Sequence, residues 1–371
     1  MATIELASVT KRFRSETVLN DVSFSVAEGE TLVLFGPSGA GKTVLLRLIA
    51  GVVDPDQGSV QLHGQDVGAV PPERRGVGMA FQNFALFPHL SSFDNIASPL
   101  EAKGGSRTSI RAGVEKVAKL LKIDHVLGHA PRALSNGQKQ RTALARALAA
   151  SPSILLLDDP LRNVDAKLRF EMRLELPRLL AEQGATVIYV TQDYKEAMAL
   201  GDRIAVLDRG RIIQLGTPEQ VYLTPNTIQI ASLFGDPTIN LLDVRPERDG
   251  SGPFVRLSDL RVPLAPELAH TIGRDCKLGI RPAEIGFTSA GSEGAIPVTI
   301  EAETPLNEKV VTLVTTARGR EILVSRPSGT AGAADPCHIR FRQNSVLLFD
   351  RDTGERLPPD ETTLRHQGQA A

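Results

Sequence analysis

The sequence predicts an α/β domain followed by an all-β domain. Up to about residue 235, apolar segments of strand character alternate with segments of helical periodicity, as in an α/β layered domain. From Leu241 onward the apolar segments are short, and Gly, Pro and charged turns separate them. A chain of 371 residues is long for one domain. We therefore predict an α/β domain at 1–235 and a β-barrel or sandwich with a polar tail at 236–371.

Composition indicates which partners have no support and where the protein is expected to be located. The 42 basic and 43 acidic residues give a formal charge of −1, which offers no general attraction to nucleic acid or to an anionic membrane. Cys276 and Cys337 fit a reducing compartment, although they leave a single bridge open. The first residues show no leader pattern, and no apolar run approaches the roughly 20 residues that span a bilayer. We expect a cytoplasmic protein or a peripheral partner of a membrane protein.

A phosphate-binding loop lies near the N-terminus. Its pattern is G-x-x-x-x-G-K-[ST], between a predicted strand at 31–35 and a predicted helix at 44–50. The residues of the loop are Gly36, Pro37, Ser38, Gly39, Ala40, Gly41, Lys42 and Thr43. The glycines let backbone N–H groups approach a polyphosphate, and the helix adds its positive end. Lys42 can reach the β- and γ-phosphates, and the Thr43 hydroxyl can bind Mg²⁺.

The segments around this loop contain two aromatic features. Predicted strands at 4–9 and 18–26 place Phe13 in the loop between them, where the ring could stack on a base or belong to the core. A predicted strand at 76–81 ends at Gln82. The apolar residues of Phe84–Leu90 follow, and could be core or a docking surface.

A second anion site is predicted at the start of another helix. The periodicity of 106–127 predicts one helix. Ser135 and Gln138 then have the spacing of a capping box, so a second helix begins there and runs to Ala150. The N-terminus of this helix, which includes Gly137, offers free N–H groups to an anion.

Two carboxylates end an unbroken apolar segment of the chain. The unbroken apolar residues of 154–157 predict a strand buried on both faces of a parallel sheet. Asp158 and Asp159 follow at the edge where open α/β sheets bind ligands, and Asp158 is the natural Mg²⁺ ligand. The next predicted elements are a helix at 165–183, a strand at 186–191 ending at Gln192, and a hairpin at 204–215.

The second domain is predicted from its strands alone. Seven short segments alternate in hydropathy: 254–257, 277–280, 297–300, 310–314, 322–324, 338–341 and 346–349. The tail from Arg351 to Ala371 is polar, and we expect it to be loosely ordered.

The motifs together resemble those of the ATPase subunits of ABC transporters, in the sugar-importer branch of the maltose and glycerol-3-phosphate systems. The matching motifs are Walker A at 36–43, the Q-loop glutamine Gln82, the signature at 134–141, Walker B at 154–158 and the D-loop at 161–166, with Phe13 at the adenine-stacking position. Leu278–Pro282 resembles the hallmark of the OB-like, TOBE-type regulatory domain of this branch, and 235–240 resembles its linker. The resemblance covers nearly the whole chain.

The resemblance implies a dimer of ATPase subunits under a pair of transmembrane permease subunits, at the cytoplasmic face of the inner membrane. A solute-binding protein would be an indirect partner, and the segment after Gln82 would contact the permease. Two ATP molecules with Mg²⁺ would each bind the Walker motifs of one chain and the signature of the other. The implied Mg²⁺ ligands are Thr43, Gln82 and Asp158, the implied catalytic residues are Asp159, Gln192 and Gln82, and the implied signature contacts are Ser135, Gly137 and Gln138.

The sequence departs from the family pattern at the residues of hydrolysis. Asp159 stands where the family has a glutamate base, and Gln192 stands where it has a histidine. Asn136 replaces a signature glycine, and Arg162 replaces a D-loop serine. We expect Arg162 to be a solvated surface residue. Residues that bind ATP are kept, so we expect binding with slow hydrolysis.

Two hypotheses follow for an importer of a sugar or of a polyol such as glycerol. In the first, the chain is a weak-hydrolysis half that pairs with a second, competent ATPase subunit. In the alternative, it is a fully active homodimeric ATPase of a sugar, polyamine or iron importer, and Asp159 and Gln192 are tolerated variants.

Overall fold

The computed structural model of the protein describes residues 2–257, 260–292, 294–330, 337–342 and 345–360. The chain divides into two units, one up to Val221 and one from Tyr222. The break lies ahead of residue 235, where the sequence places the domain boundary, and that boundary stays a prediction.

The first unit contains ten strands and six complete helices, and a seventh helix crosses the break. The strands are β1 (Ala2–Phe13), β2 (Glu16–Ala27), β3 (Thr31–Phe35), β4 (Gln57–Leu62), β5 (Gln65–Asp66), β6 (Val77–Ala80), β7 (Ile154–Asp158), β8 (Thr186–Thr191), β9 (Arg203–Asp208) and β10 (Arg211–Gly216). The helices are α1 (Lys42–Ala50), α2 (Ser92–Ala102), α3 (Arg107–Leu120), α4 (Asn136–Ala149), α5 (Ala166–Gln183), α6 (Tyr194–Leu200) and α7 (Pro218–Leu223).

The central sheet has the order β10-β9-β3-β8-β7-β6, and all its strands except β10 are parallel. Every residue of β3, β7 and β8 is buried, as their apolar sequences require in the middle of such a sheet. Because these strands are neighbours and parallel, their carboxyl ends lie at one edge. The phosphate loop, the two aspartates and Gln192 follow those ends, so the predicted α/β fold is confirmed.

A second, antiparallel sheet has the order β2-β1-β4-β5. The inward residues of β2 alternate with exposed ones and pack into the same core as α1. Strand β1 runs to Phe13, which pairs with Glu16. The prediction of Phe13 in a loop is therefore wrong, because the hairpin ladder continues to the turn.

Several helices differ from their predictions. The helix predicted at 106–127 ends at Leu120, since Lys122 takes a left-handed conformation with φ of 52° that an α-helix does not accommodate. Apolar residues beyond it, such as Ile123, are buried without being helical, and this prolonged the apparent period. Helix α5 confirms the prediction for 165–183, with Asp165 as its N-cap. Helices α2, α6 and α7 have no counterpart among the predicted helices.

The second unit is antiparallel β-structure after one short helix, α8 (Ile228–Leu233). Its strands are β11 (Asn240–Val244), β12 (Glu247–Asp249), β13 (Gly252–Leu257), β14 (Leu260–Pro263), β15 (Cys276–Ile280), β16 (Ile285–Thr288), β17 (Ile296–Leu306), β18 (Lys309–Thr316), β19 (Glu321–Pro327), β20 (Cys337–Phe341) and β21 (Leu347–Asp350). They form sheets β11-β15-β21, β12-β13-β14 and β16-β20-β17-β18-β19 around one apolar core. All seven predicted strands are present, and the β-rich domain is confirmed.

The start of the polar tail is fixed to this unit. Arg356 pairs with Phe349 as an isolated β-bridge, and its N–H donates to the carbonyl of Asn226 at 2.8 Å. The Leu357 N–H donates to the carbonyl of Leu348 at 2.8 Å. The expectation of a loose tail is thus wrong for these residues, because their backbone groups extend the ladder, and 361–371 lie outside the described residues. No helix in the described ranges is both long and apolar enough to span a membrane.

Candidate active site

The phosphate loop joins β3 to α1, and two of its glycines are required by close backbone contacts. A β-carbon on Gly36 would lie 2.1 Å from the carbonyl oxygen of Leu207. Gly41 has a φ of 104°, and a β-carbon there would lie 2.9 Å from the carbonyl oxygen of Val18. Larger residues would push the loop away from the neighbouring strands, so the loop keeps its shape only with glycine at both positions.

Lys42 is buried under the loop. Its amine donates hydrogen bonds to the carbonyl oxygens of Gly36 and Pro37, each at 2.7 Å. Burial lowers the pKa of this amine, whereas the negative charges of Asp159 and Asp158 raise it. The two aspartates therefore favour the cation that a polyphosphate needs.

Thr43 and Asp158 present neighbouring oxygen atoms. The Thr43 hydroxyl donates to Oδ1 of Asp158 at 3.2 Å. Burial raises the pKa of Asp158, and the Thr43 hydrogen bond opposes this shift. Mg²⁺ usually takes one or two carboxylates together with phosphate oxygens and water, so a hydroxyl and one carboxylate fit it. We find no cluster of three or more His, Cys, Asp or Glu side chains suited to a metal among the described residues.

Asp159 is held by its backbone in an uncommon conformation. Its φ is 51°, its N–H donates to the carbonyl of Val190 at 3.0 Å, and its own carbonyl accepts from Nε2 of Gln140 at 2.6 Å. Burial raises the pKa of the carboxyl group, while the positive charge of Arg162 lowers it. The guanidinium of Arg162 lies 3.8 Å from Oδ2 of Asp159. Arg162 is 53% exposed, as predicted for a surface residue, yet it also contacts the carboxylate at the catalytic position.

One cavity of about 300 Å³ brings most of the predicted site together. Its lining includes Ser38, Gly39, Ala40, Gly41, Lys42, Thr43, Gln82, Asp158, Asp159 and Gln192. Phe13 and the signature residues Ser135, Gly137 and Gln138 are not part of its lining. The cavity is therefore lined by Walker residues of this chain and not by its signature residues, as expected if a second chain supplies the signature.

The ring of Phe13 is on the surface of the unit. It is 44% exposed, and the Lys11 amine lies 5.4 Å from its centroid. Phe13 is therefore not a core residue, and its stacking on adenine stays a prediction.

The signature forms the first turn of α4. The Gln138 N–H donates to the Ser135 hydroxyl at 3.3 Å, and the Ser135 N–H donates to the Gln138 side chain at 2.9 Å. The predicted capping box is confirmed. A β-carbon on Gly137 would lie 2.9 Å from the carbonyl oxygen of Asn163, so the D-loop passes close to this turn.

Gln140 is a functional candidate that the sequence analysis missed. It is buried on α4, where Nε2 donates to the Asp159 carbonyl and Oε1 accepts from the Asn163 N–H at 2.8 Å. It thereby joins the signature helix to both ends of the segment that contains Asp159. A glutamine on the inward face of an otherwise Ala- and Leu-rich helix was the signal available.

Arg146 fixes the segment after Gln82. Phe84 and Ala85 have φ values of 66° and 48°, uncommon for residues with side chains. The Arg146 guanidinium donates to the Ala85 carbonyl at 2.8 Å and to the Phe84 carbonyl at 3.3 Å, and lies 5.5 Å from the ring of Phe87. Phe87 is 44% exposed, so this segment presents an apolar ring at the surface.

Comparisons with known proteins agree with this geometry. The family model described as ABC transporter matches residues 19–162. The chain is 38% identical over 362 residues to the sn-glycerol-3-phosphate import ATP-binding protein UgpC of Escherichia coli (strain K12), covering 96% of this chain and 100% of that protein. It is 42% identical over 375 residues to the Trehalose/maltose import ATP-binding protein MalK of Thermococcus litoralis, with 96% and 100% covered.

Solved structures give the same result over part of the chain. A dimeric post-hydrolysis state of the ATP-binding cassette MJ0796, bound to ADP and Pi, has a TM-score of 0.55 and 30% identity over 58% of this chain and 98% of that one. The curated relatives, by contrast, are matched along nearly the whole chain. The chain therefore belongs to the ABC transporter ATP-binding proteins, and it is an ATPase of the group that includes UgpC and MalK.

Proposed function

We propose that this chain is the ATP-binding subunit of an ABC importer and couples ATP binding and hydrolysis to the uptake of a sugar or of a polyol such as glycerol. The proposal of a sugar is supported by the name of MalK, a trehalose/maltose import protein, and UgpC is named for import of sn-glycerol-3-phosphate. The partners would be transmembrane permease subunits at the cytoplasmic face of the cell membrane. The surface segment Phe84–Leu90, with its exposed Phe87, offers them an apolar contact.

Mg-ATP would bind in the cavity of about 300 Å³ beside the phosphate loop. Lys42 would contact the β- and γ-phosphates, and Thr43, Asp158 and Gln82 would hold Mg²⁺. When bound, this ion neutralises charge on the phosphates. The residues of the chain provide position and charge, which are the main requirements of phosphoryl transfer.

We further propose that hydrolysis in this chain is weak, and one observation carries the proposal. The buried carboxylate at the base position is that of Asp159, and Arg162 lies beside it. Asp159 is one methylene shorter than glutamate, and a displacement of about 1 Å can reduce a rate about 10²-fold. Burial raises the pKa of this base, and the Arg162 cation opposes that shift and lies close enough to compete for its oxygen. Gln192 is a neutral amide that cannot carry a proton.

A weak half requires a competent partner, so we propose a heterodimer with a second ATPase subunit. One composite site would then use Asp159, and the other would use the signature of this chain with a base from the partner. Asn136, exposed at the first position of α4, would face the nucleotide of the second site. The alternative is a fully active homodimer, in which Asp159 acts as an adequate base.

Steady-state ATPase activity of the purified chain separates these alternatives. The parent chain, Asp159→Glu, Gln192→His and the double variant are compared, with Mg-ATP binding measured in parallel. We expect the parent chain to bind Mg-ATP and hydrolyse it slowly, and the double variant to be faster by about 10²-fold.

A parent chain as fast as the double variant would remove the reason for a heterodimer and leave the homodimeric ATPase. Loss of Mg-ATP binding in the parent would contradict both alternatives. Lys42→Ala is the control for binding, because it removes the cation under the loop and leaves Asp159 and Gln192 in place.

A further inference from the structure

The second unit contains a cavity of about 950 Å³. All the residues that line it come after the residues of the ATP site in the sequence. Apolar side chains such as Val262, Leu264 and Phe341 form much of its wall. Sites for small organic molecules typically have about 300–1,000 Å³ and a mainly apolar wall with a few polar groups. The size and the lining of this cavity therefore suit an organic molecule with an apolar body.

Four arginines and two glutamates contribute the charge of the wall, and three of these six side chains have partners. Arg281 is buried, donates to the Tyr222 carbonyl at 2.5 Å and lies 3.6 Å from the centroid of the Tyr222 ring. Arg342 and Glu284 form an ion pair at 3.1 Å. Arg281 therefore has carbonyl and aromatic partners within the protein, and Arg342 has a carboxylate partner.

Arg340 and Arg356 differ from the other two arginines. Within the described residues, neither side chain donates a hydrogen bond or forms an ion pair, whereas Arg281 has carbonyl partners and Arg342 has a carboxylate partner. Arg356 is half-buried, and burial lowers the pKa of its guanidinium. Taking a cation out of water without a counter-charge is unfavourable. An anion in the cavity would supply that charge.

The backbone of Arg356 is held by contacts within the second unit. Its N–H donates to the carbonyl of Asn226, and it forms a β-bridge with Phe349. Arg340 lies in β20 and pairs with Gly286 of β16. Because the backbone is ordered at both positions, ligand binding has to order only the two side chains.

We propose that this cavity binds a small organic anion with an apolar body, whose charged group is recognised by Arg340 and Arg356. Glu267 also lines the cavity, and its negative charge would oppose such a ligand. The proposal concerns the second unit alone and is independent of the rate at which the chain hydrolyses ATP.

Two dyes of one skeleton test the proposal on the full chain. 8-Anilinonaphthalene-1-sulfonate has an apolar body with an anionic group, and N-phenyl-1-naphthylamine has the same body without the charge. Both are titrated by fluorescence with saturating Mg-ADP present, so that the nucleotide site is occupied. We expect one saturable site for the sulfonate, with weaker binding of the neutral dye.

Charge variants locate the site. Arg356→Gln and Arg340→Gln should each weaken the sulfonate by about tenfold and leave the neutral dye unchanged, because one charged hydrogen bond is lost. Glu267→Gln should strengthen the sulfonate, since it removes a like charge. Arg248→Gln is the matched control, because Arg248 is exposed and is not part of the cavity lining. Ala265→Trp should fill the cavity and block both dyes.

Thermal unfolding of each variant separates lost binding from lost folding, and Glu267→Gln tests the sign even if an arginine variant does not fold. The proposal is overturned if the sulfonate shows no saturable binding or if Arg356→Gln and Arg340→Gln bind it as the parent does. It is also overturned if both dyes weaken equally. Displacement of the dye by an equal concentration of inorganic sulfate would show a plain oxyanion site, which would equally refute the role of the apolar body.

Discussion

Gln140 offers the sharpest test of how the signature helix positions the catalytic carboxylate. Replacing it with leucine keeps most of its volume and removes both of its hydrogen bonds, to the Asp159 carbonyl and from the Asn163 N–H. We expect Gln140→Leu to lower stability and to lower the rate of hydrolysis, and to leave nucleotide binding intact. The reason is that the hydrogen bonds of this side chain are made with Asp159 and Asn163 and not with the phosphate loop.

The size of the stability effect can be worked out from these contacts. A buried polar group that loses its partner costs about 1–3 kcal/mol. The Asp159 carbonyl also accepts from the Arg162 N–H at 3.3 Å, and Asn163 is exposed, so the lower end applies to both. The total is about 2 kcal/mol, which for a unit of this size lowers the melting temperature by about 4–8 °C.

Thermal unfolding measures the first effect, and Mg-ADP binding and ATPase rate measure the second. The rate is best followed in the Asp159→Glu, Gln192→His background, where we expect faster hydrolysis. A fall of about 10²-fold is expected if the carboxylate moves by about 1 Å. Gln57→Leu is the matched control, because Gln57 is an exposed glutamine of β4.

Two results would refute this reasoning. A melting temperature that changes by less than about 1 °C would show that the two hydrogen bonds carry no net stability. A parallel loss of Mg-ADP affinity and of rate would show that Gln140 supports the whole site and has no particular relation to Asp159.

Three further changes test other parts of the site. Arg162→Ser removes the cation that lowers the pKa of Asp159, so the pKa rises and the acid limb of the pH–rate profile should move to higher pH; an unmoved limb would show that Arg162 does not influence the base. Thr43→Val removes the hydroxyl that contacts Asp158, and titration of Mg²⁺ at fixed ATP should show weaker activation, whereas equal activation would exclude Thr43 as a ligand. Gly36→Ala places a methyl group 2.1 Å from a backbone carbonyl, so ATP binding should fall by at least about tenfold, and normal affinity would contradict the rigidity of the loop.

The central sheet could be predicted from the sequence because its middle strands are short apolar segments, buried along their whole length. The apolar runs of β3, β7 and β8 are long enough to be strands and too short to be helices, and each ends at a polar motif. The parallel order then brings the motifs to one edge, and this is why Lys42 and Asp158 could be placed in one site without coordinates.

Other features depend on contacts between distant residues and have no local signal. The helix predicted to 127 ends at Leu120, although buried apolar residues continue beyond it. The sequence could not show this end, because only tertiary packing distinguishes a buried turn from a helix. The role of Gln140 depends on its contact with the Asp159 carbonyl, 19 residues later in the chain. Arg162 is only three residues from Asp159, and its contact with the carboxylate depends on the local backbone conformation, in which Asp159 has a φ of 51°. The alternation that predicts a strand at 4–9 stops before Phe13, although the strand itself continues to Phe13 with shifts in its register.

The contacts of Arg146 have a mechanical consequence. Because its guanidinium binds two carbonyls of the segment after Gln82 and lies near the ring of Phe87, that segment and helix α4 share one attachment point. The same helix begins at the Ser135 cap. Any displacement of the segment that preserves these bonds must carry the far end of α4 with it. The Arg146 contacts thereby link the exposed ring of Phe87 to the helix whose first turn is the signature.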